Sequence, residues 1–149
     1  MKIKDLVKAG SNSFHTVEGE ETVEQALKKM SAYSASALMV RTENELNGIF
    51  TERDLIRCHI LFPERAIKDI FVQEVMTSRL IVAETKDTIE AAIGMMIQAK
   101  IRHLPVVSDG RISGMLCLED LVKHHVGALT QELHYLKDYI SDLQDAAHD

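Results

Sequence analysis

The chain has 149 residues, 46% of them hydrophobic, with a formal net charge of −6, enough for one ordinary domain or two small fused units. The acidic balance argues against a general nucleic-acid binder, and no apolar run approaches the ~18 residues of a membrane span. The start, Met1–Leu6, lacks the apolar stretch of a secretory signal, and two cysteines make no disulfide framework, so a soluble cytoplasmic protein is the simplest expectation.

With no Trp and 5% aromatic residues, the core must be aliphatic. The stretch around Phe14–Val17 predicts a short strand. Thr22 then stands where an N-cap hydroxyl would satisfy free backbone N–H groups, and Val23, Ala26, Leu27 and Met30 follow at helical spacing. Two apolar runs, Ala37–Val40 and Gly48–Phe50, flank the polar turn Thr42–Glu45 and read as a β-hairpin. A second helix starts after Thr51. The segment 61–72, marked by Pro63, reads as a linker. Its Ile67, Ile70 and Phe71 predict that it packs rather than floats.

The pattern then returns at a constant offset of 66 residues. A strand is expected around Leu80–Ala83 and a helix after Thr88 carrying Ile89, Ala92, Ile93 and Met96. A hairpin follows from Leu104–Val107 and Gly114–Leu116 about the turn Ser108–Arg111, with a helix after Cys117. Two β-α-β-β-α units in one chain usually pack as a pseudo-symmetric pair, and the groove between them is a natural ligand site. The expected organisation is a first unit over 1–60, a linker over 61–72, a second unit over 73–126 and a helical tail over 127–149. In that tail Val126, Leu129, Leu133, Leu136, Ile140 and Leu143 form a heptad-like stripe. Such a helix either docks on its own domain or pairs with another subunit. At under three heptads it is too short to hold two chains together alone.

The pattern with most chemical content is Gly48-x-x-Thr51-x-x-Asp54, repeated as Gly114-x-x-Cys117-x-x-Asp120. A glycine at this point admits a backbone or ligand closely. A hydroxyl at a strand end and a carboxylate one helical turn later share a side. A carboxylate accepts two hydrogen bonds, which suits the paired hydroxyls of a ribose, and the free N–H groups of a helix start suit a phosphate. Thr51-x-x-Asp54 is equally a helix capping box, and both readings stand at this point. Seven histidines invite a metal reading, but His124-His125 and His134 lack zinc-site spacing. Cys58 and Cys117 have no nucleophile–base constellation, and no phosphate-binding glycine loop is present. Neither a metal site nor an enzyme is therefore expected.

The duplicated unit, the strand Arg102-His103-Leu104-Pro105-Val106 and the two Gly-x-x-(Thr/Cys)-x-x-Asp ends together resemble a tandem pair of CBS domains, a Bateman module, over roughly residues 1–126. The tail segment Glu132–Ile140 is similar to that of small stand-alone bacterial members. The resemblance implies an α/β (α+β) fold of two pseudo-symmetric CBS units packed sheet to sheet with a C-terminal helix. It also implies a regulatory, non-enzymatic module that binds AMP, ADP, ATP, NAD(H) or S-adenosylmethionine in clefts between the units.

By that resemblance Asp54 and Asp120 hold ribose, and Thr51 contacts ribose or phosphate. Cys117 departs from the pattern. Arg102 and His103 face phosphate, whereas their first-repeat counterparts Ser36 and Ala37 carry no charge. The opposite unit's first strand places Ser13 and His15 beside Asp120, and Arg79 and Ile81 beside Asp54, with Arg53 as an auxiliary cation. The implied partners are an adenine nucleotide, a second copy in a homodimer, and a regulated protein whose identity the sequence does not name. A structural dimerisation module with vestigial sites is the alternative.

Overall fold

The computed structural model describes residues 1–8 and 13–148. The first sheet has the order β1 (Thr16–Glu18), β2 (Ala37–Thr42), β3 (Glu45–Thr51), and the second β4 (Ala83–Glu84), β5 (His103–Ser108), β6 (Arg111–Cys117). In each, the first strand runs parallel to the second, and the second and third form an antiparallel hairpin. The parallel pairs are joined through α2 (Val23–Tyr33) and α5 (Ile89–Ala99), and the hairpins lead into α3 (Glu52–Leu61) and α6 (Leu118–His148). This is the expected β-α-β-β-α unit, present twice. The first strands lie two to three residues later than the apolar runs suggested, because parallel pairing begins only at Thr16 and Ala83.

Strand alternation divides the apolar side chains among three cores. Leu38, Val40 and Phe50 face one way, onto Val17, Val23, Ala26 and Met30. Leu104, Val106 and Leu116 do the same in the second unit, onto Ala83, Ile89, Ala92 and Met96. The opposite faces of the two sheets meet in a third cluster of Ala37, Met39, Ile49 and Met115, flanked by Phe14, Leu46, Leu80 and Ile112. Both faces of each hairpin are thus covered, which explains why its strands read as continuous apolar runs rather than alternating ones.

Two short helices missing from the sequence reading complete these cores by exchange. The N-terminal α1 (Ile3–Lys8) inserts Ile3 and Leu6 into the second unit's core. The Lys2–Thr88 bridge and an Ile3 N–H bond to the Asp87 carbonyl (2.9 Å) fix it there. Reciprocally, α4 (Val72–Val75) inserts Val72 and Val75 into the first unit's core, fixed by the Thr22–Phe71 bridge. The linker packs as expected. Ile70 is buried, Ile67 leans on the first core, and a 3-10 turn spans Ile67–Asp69. Arg65 clamps it by a forked pair to Glu74 (3.1 and 3.2 Å), a bond to the Asp69 carbonyl, and stacking over Phe62.

Local chemistry accounts for the element ends. Thr22 accepts from the Gln25 N–H (3.2 Å) while Gln25 accepts from the Thr22 N–H (2.8 Å), a full capping box at α2. Thr88 caps α5 through the Ala91 N–H. Each hairpin shifts register once, leaving Asn47 and Ser113 as the extra residues of a bulge. Both two-residue turns have positive φ at both positions, Glu43 and Asn44 in the first, Asp109 and Gly110 in the second. That geometry suits the Asp-Gly of the second turn, but Glu43 is an unfavourable occupant. Glu43→Asn is expected to stabilise the chain by about 0.5–1 kcal/mol, read as a rise in the urea midpoint at unchanged slope.

Candidate ligand-binding clefts between the two units

The ends of β3 and β6 carry the repeated motif, and pairing sets Thr51 opposite Ala37 and Cys117 opposite His103. These two corners are stitched across the unit boundary. Ser36 Oγ lies 2.8 Å from His103 Nε2. Arg53, on α3, donates from Nη2 to the Lys100 carbonyl at the left-handed end of α5 (2.6 Å). Arg53, expected as an auxiliary cation for ligand, thus forms a clasp between the units in this structure.

At the first corner the carboxylate of Asp54 is only 2% exposed. Its Oδ2 accepts from the Thr51 N–H (2.9 Å), with the Thr51 hydroxyl on the same oxygen at 3.4 Å. Its Oδ1 accepts from Arg57 Nη2 (2.9 Å) and the Thr77 hydroxyl (2.8 Å). Both oxygens are engaged, and the reach back to Thr51 is the carboxylate half of a capping box. Arg57 and Thr77 are additions to the sequence reading. Arg57 was detectable as a cation one helical turn beyond Asp54. Thr77 lies 23 residues away and carries no local signal. It arrives because its backbone pairs with Ile49 (2.9 Å in both directions) just after α4. A side chain at Gly48 would collide with Met76 Sδ, so this glycine admits the end of α4. Arg79 and Ile81 continue the same stretch and are exposed.

The second corner is organised differently. The Leu118 N–H donates to the Arg102 carbonyl (2.9 Å), which ties β5 to the start of α6 and leaves the Arg102 side chain exposed. Cys117 is half-buried. Burial first, then the charges of Asp120 and Glu119, push its thiol pKa up, so it stays a neutral thiol. Asp120 is exposed and, among the described residues, makes no hydrogen bond or ion pair. Arg102, His103, Cys117 and Asp120 are thereby gathered about one corner. Burial holds the His103 imidazole below its ordinary pKa of 6.5, aided by Arg102 and opposed by Glu52 and Glu119. Ser13 is exposed. His15 stacks on Tyr33, ring centroids 4.0 Å apart, and its carbonyl accepts from the Met39 N–H. Burial also raises the Cys58 thiol, with Glu74 adding and Arg65 opposing. Among the described residues no three His, Cys, Asp or Glu side chains gather as a metal set, and no helix is long and apolar enough to cross a membrane.

The CBS domain profile matches residues 3–60 and again 72–127. The chain belongs to the CBS domain family. It is 32% identical over 143 residues to the Arabidopsis thaliana mitochondrial CBS domain-containing protein CBSX3, covering 93% of this chain and 69% of that one. Two other curated relatives, the Arabidopsis thaliana protein CBSCBSPB1 and the Methanocaldococcus jannaschii inosine-5'-monophosphate dehydrogenase, are longer, and the chain spans about a fifth of their length. A CBS-domain protein from Burkholderia ambifaria MC40-6 superposes with a TM-score of 0.79 at 30% identity, over 85% of this chain and 95% of that one. CBSX2, solved in complex with AMP, shares the fold with a TM-score of 0.67 at 23% identity, over 85% and 97% of the two chains.

The two aspartates of this CBS pair should separate cleanly by stability. Asp54→Ala strands the donors of Arg57, Thr77 and Thr51 and is expected to cost about 2–3 kcal/mol. Asp120→Ala, at an exposed position, should stay within about 0.5 kcal/mol of the parent. Chemical denaturation of both variants measures the difference.

His103 sets a pH dependence of known sign. Its folded-state pKa is lowered, so as pH falls through 6.5 the unfolded chain takes up the proton first. Stability attached to this group is intact above that value and declines towards the lower folded pKa. The thermal midpoint of His103→Asn should fall less between about pH 7.5 and 5.5 than that of the parent. Parallel curves would show that His103 is not the titrating group.

Proposed function

We propose that this CBS pair is a non-enzymatic sensor that binds an adenine nucleotide between its units and regulates a partner protein, acting as a homodimer. The observation that carries this reading is the contrast between the two aspartates. Asp54 has spent both oxygens on internal partners. Asp120 is exposed, one turn past Cys117 and beside the corner that holds Arg102 and His103. A free carboxylate accepts from both ribose hydroxyls, and a guanidinium matches a phosphate with two parallel donors. The second unit's corner is therefore the preferred cleft, with AMP, ATP or NAD(H) as ligand. The AMP complex of CBSX2 supports that ligand class for the fold.

Ligand spanning a boundary held by Ser36–His103 and Arg53–Lys100 biases the relative placement of the units, provided it prefers one arrangement. A second reading is a structural dimerisation module with vestigial sites. It is favoured by Cys117, whose neutral thiol stands where a hydroxyl would serve.

Thermal stability against AMP, ADP, ATP, NAD⁺, NADH and S-adenosylmethionine decides between them. One of these, at ~100 times its dissociation constant, should add about 2.7 kcal/mol. Asp120→Ala and Arg102→Ala should each abolish that gain without lowering the unliganded midpoint. No gain with any of them, in protein freed of carried-over nucleotide, establishes the structural module.

A further inference from the structure

The helix α6 is continuous from the second unit's core into the tail, 31 residues in all. Leu121 anchors it, fully buried. Beyond that anchor the stripe is uncovered. Val126, Leu129, Leu133, Leu136, Ile140 and Leu143 are each between 45% and 60% exposed, so the alternative that the tail docks on its own domain does not hold. His134 and Asp138, an i,i+4 pair 3.6 Å apart, lie on the opposite, polar side.

We infer that this stripe is the seam of a parallel two-stranded coiled coil with a second copy of the chain. Two features of the helix select that occupant and that direction. The first set of seam positions holds Val126, Leu133 and Ile140, and the second holds Leu129, Leu136 and Leu143. Val126 and Ile140 are β-branched and the second set is Leu throughout, a composition that in a parallel coil favours two strands. The flanks agree in charge. Glu132 precedes Leu133 and Lys137 follows Leu136, so in a parallel, in-register pair Glu132 of each chain faces Lys137 of the other. An antiparallel pair sets like flank against like flank and loses that match. The seam is short, so the coil supplements contacts made by the folded units. The inference deepens the homodimer part of the proposed function and is independent of the nucleotide.

The test uses the full chain in sedimentation equilibrium over a dilution series. The parent should dimerise, and Leu136→Asp should weaken the dimer by about tenfold or more. Its far-ultraviolet spectrum and the thermal midpoint of its folded units should be retained, since that side chain is exposed. Glu132→Lys and Lys137→Glu should each weaken the dimer, and the double reversal should restore it. Leu129→Cys should form a covalent dimer on mild oxidation where the parent does not, because only a parallel pair aligns residue 129 with itself. A monomeric parent, or failure of Leu129→Cys to cross-link, overturns the inference. A dimer indifferent to Leu136→Asp also overturns it, while leaving a homodimer through another face intact.

Discussion

The architecture depends on one exchange. Neither unit closes its own core. The first needs Val72 and Val75 from the segment that follows it, and the second needs Ile3 and Leu6 from the start of the chain. Each insertion buries aliphatic side chains worth roughly 1.5–3 kcal/mol apiece and is pinned by a backbone bridge to the N-cap threonine of the receiving helix. Because each unit holds a piece of chain from outside itself, the two sheets are brought face to face. The third cluster can then form between them. The same apposition joins the corners at the strand ends through Ser36–His103 and Arg53–Lys100.

The two corners are unequal among the described residues. At the first, the residue after α4 and its neighbour deliver Met76 against Gly48 and Thr77 onto Asp54, which draws the carboxylate into the structure. At the second, Cys117 replaces the hydroxyl, Leu118 and Glu119 replace Glu52 and Arg53, and Asp120 is left facing solvent. The repeat supplies two similar frames, and substitutions at a few positions leave Asp54 buried with internal partners and Asp120 exposed.

Much of this was legible in the residues. The repeat, the capping threonines, the hairpins and a packed linker follow from spacing and from the chemistry of free backbone groups. What escaped was short or distant. Four- and six-residue helices such as α4 and α1 show too few turns for a helical period to register. Thr77 reaches Asp54 only through tertiary pairing with Ile49. The capping and ribose readings of Thr51-x-x-Asp54 use the same two residue types at the same spacing, so the pattern cannot separate them; the structure shows the capping bond to the Thr51 N–H. The tail stripe was visible as a pattern, but whether it was covered depends on where α6 points after Leu121.

The exchanged helices also set an order of events during synthesis. Ile3 and Leu6 leave the ribosome before the rest of the pair, yet their resting place is built from residues up to Leu121. The first unit cannot close until Val75 has emerged. That apolar turn stays unsatisfied while the rest of the pair is made, and the second core seals only when nearly the whole pair is available. Folding of this module is consequently an event of the whole tandem pair, with each half acting as the other's last missing piece.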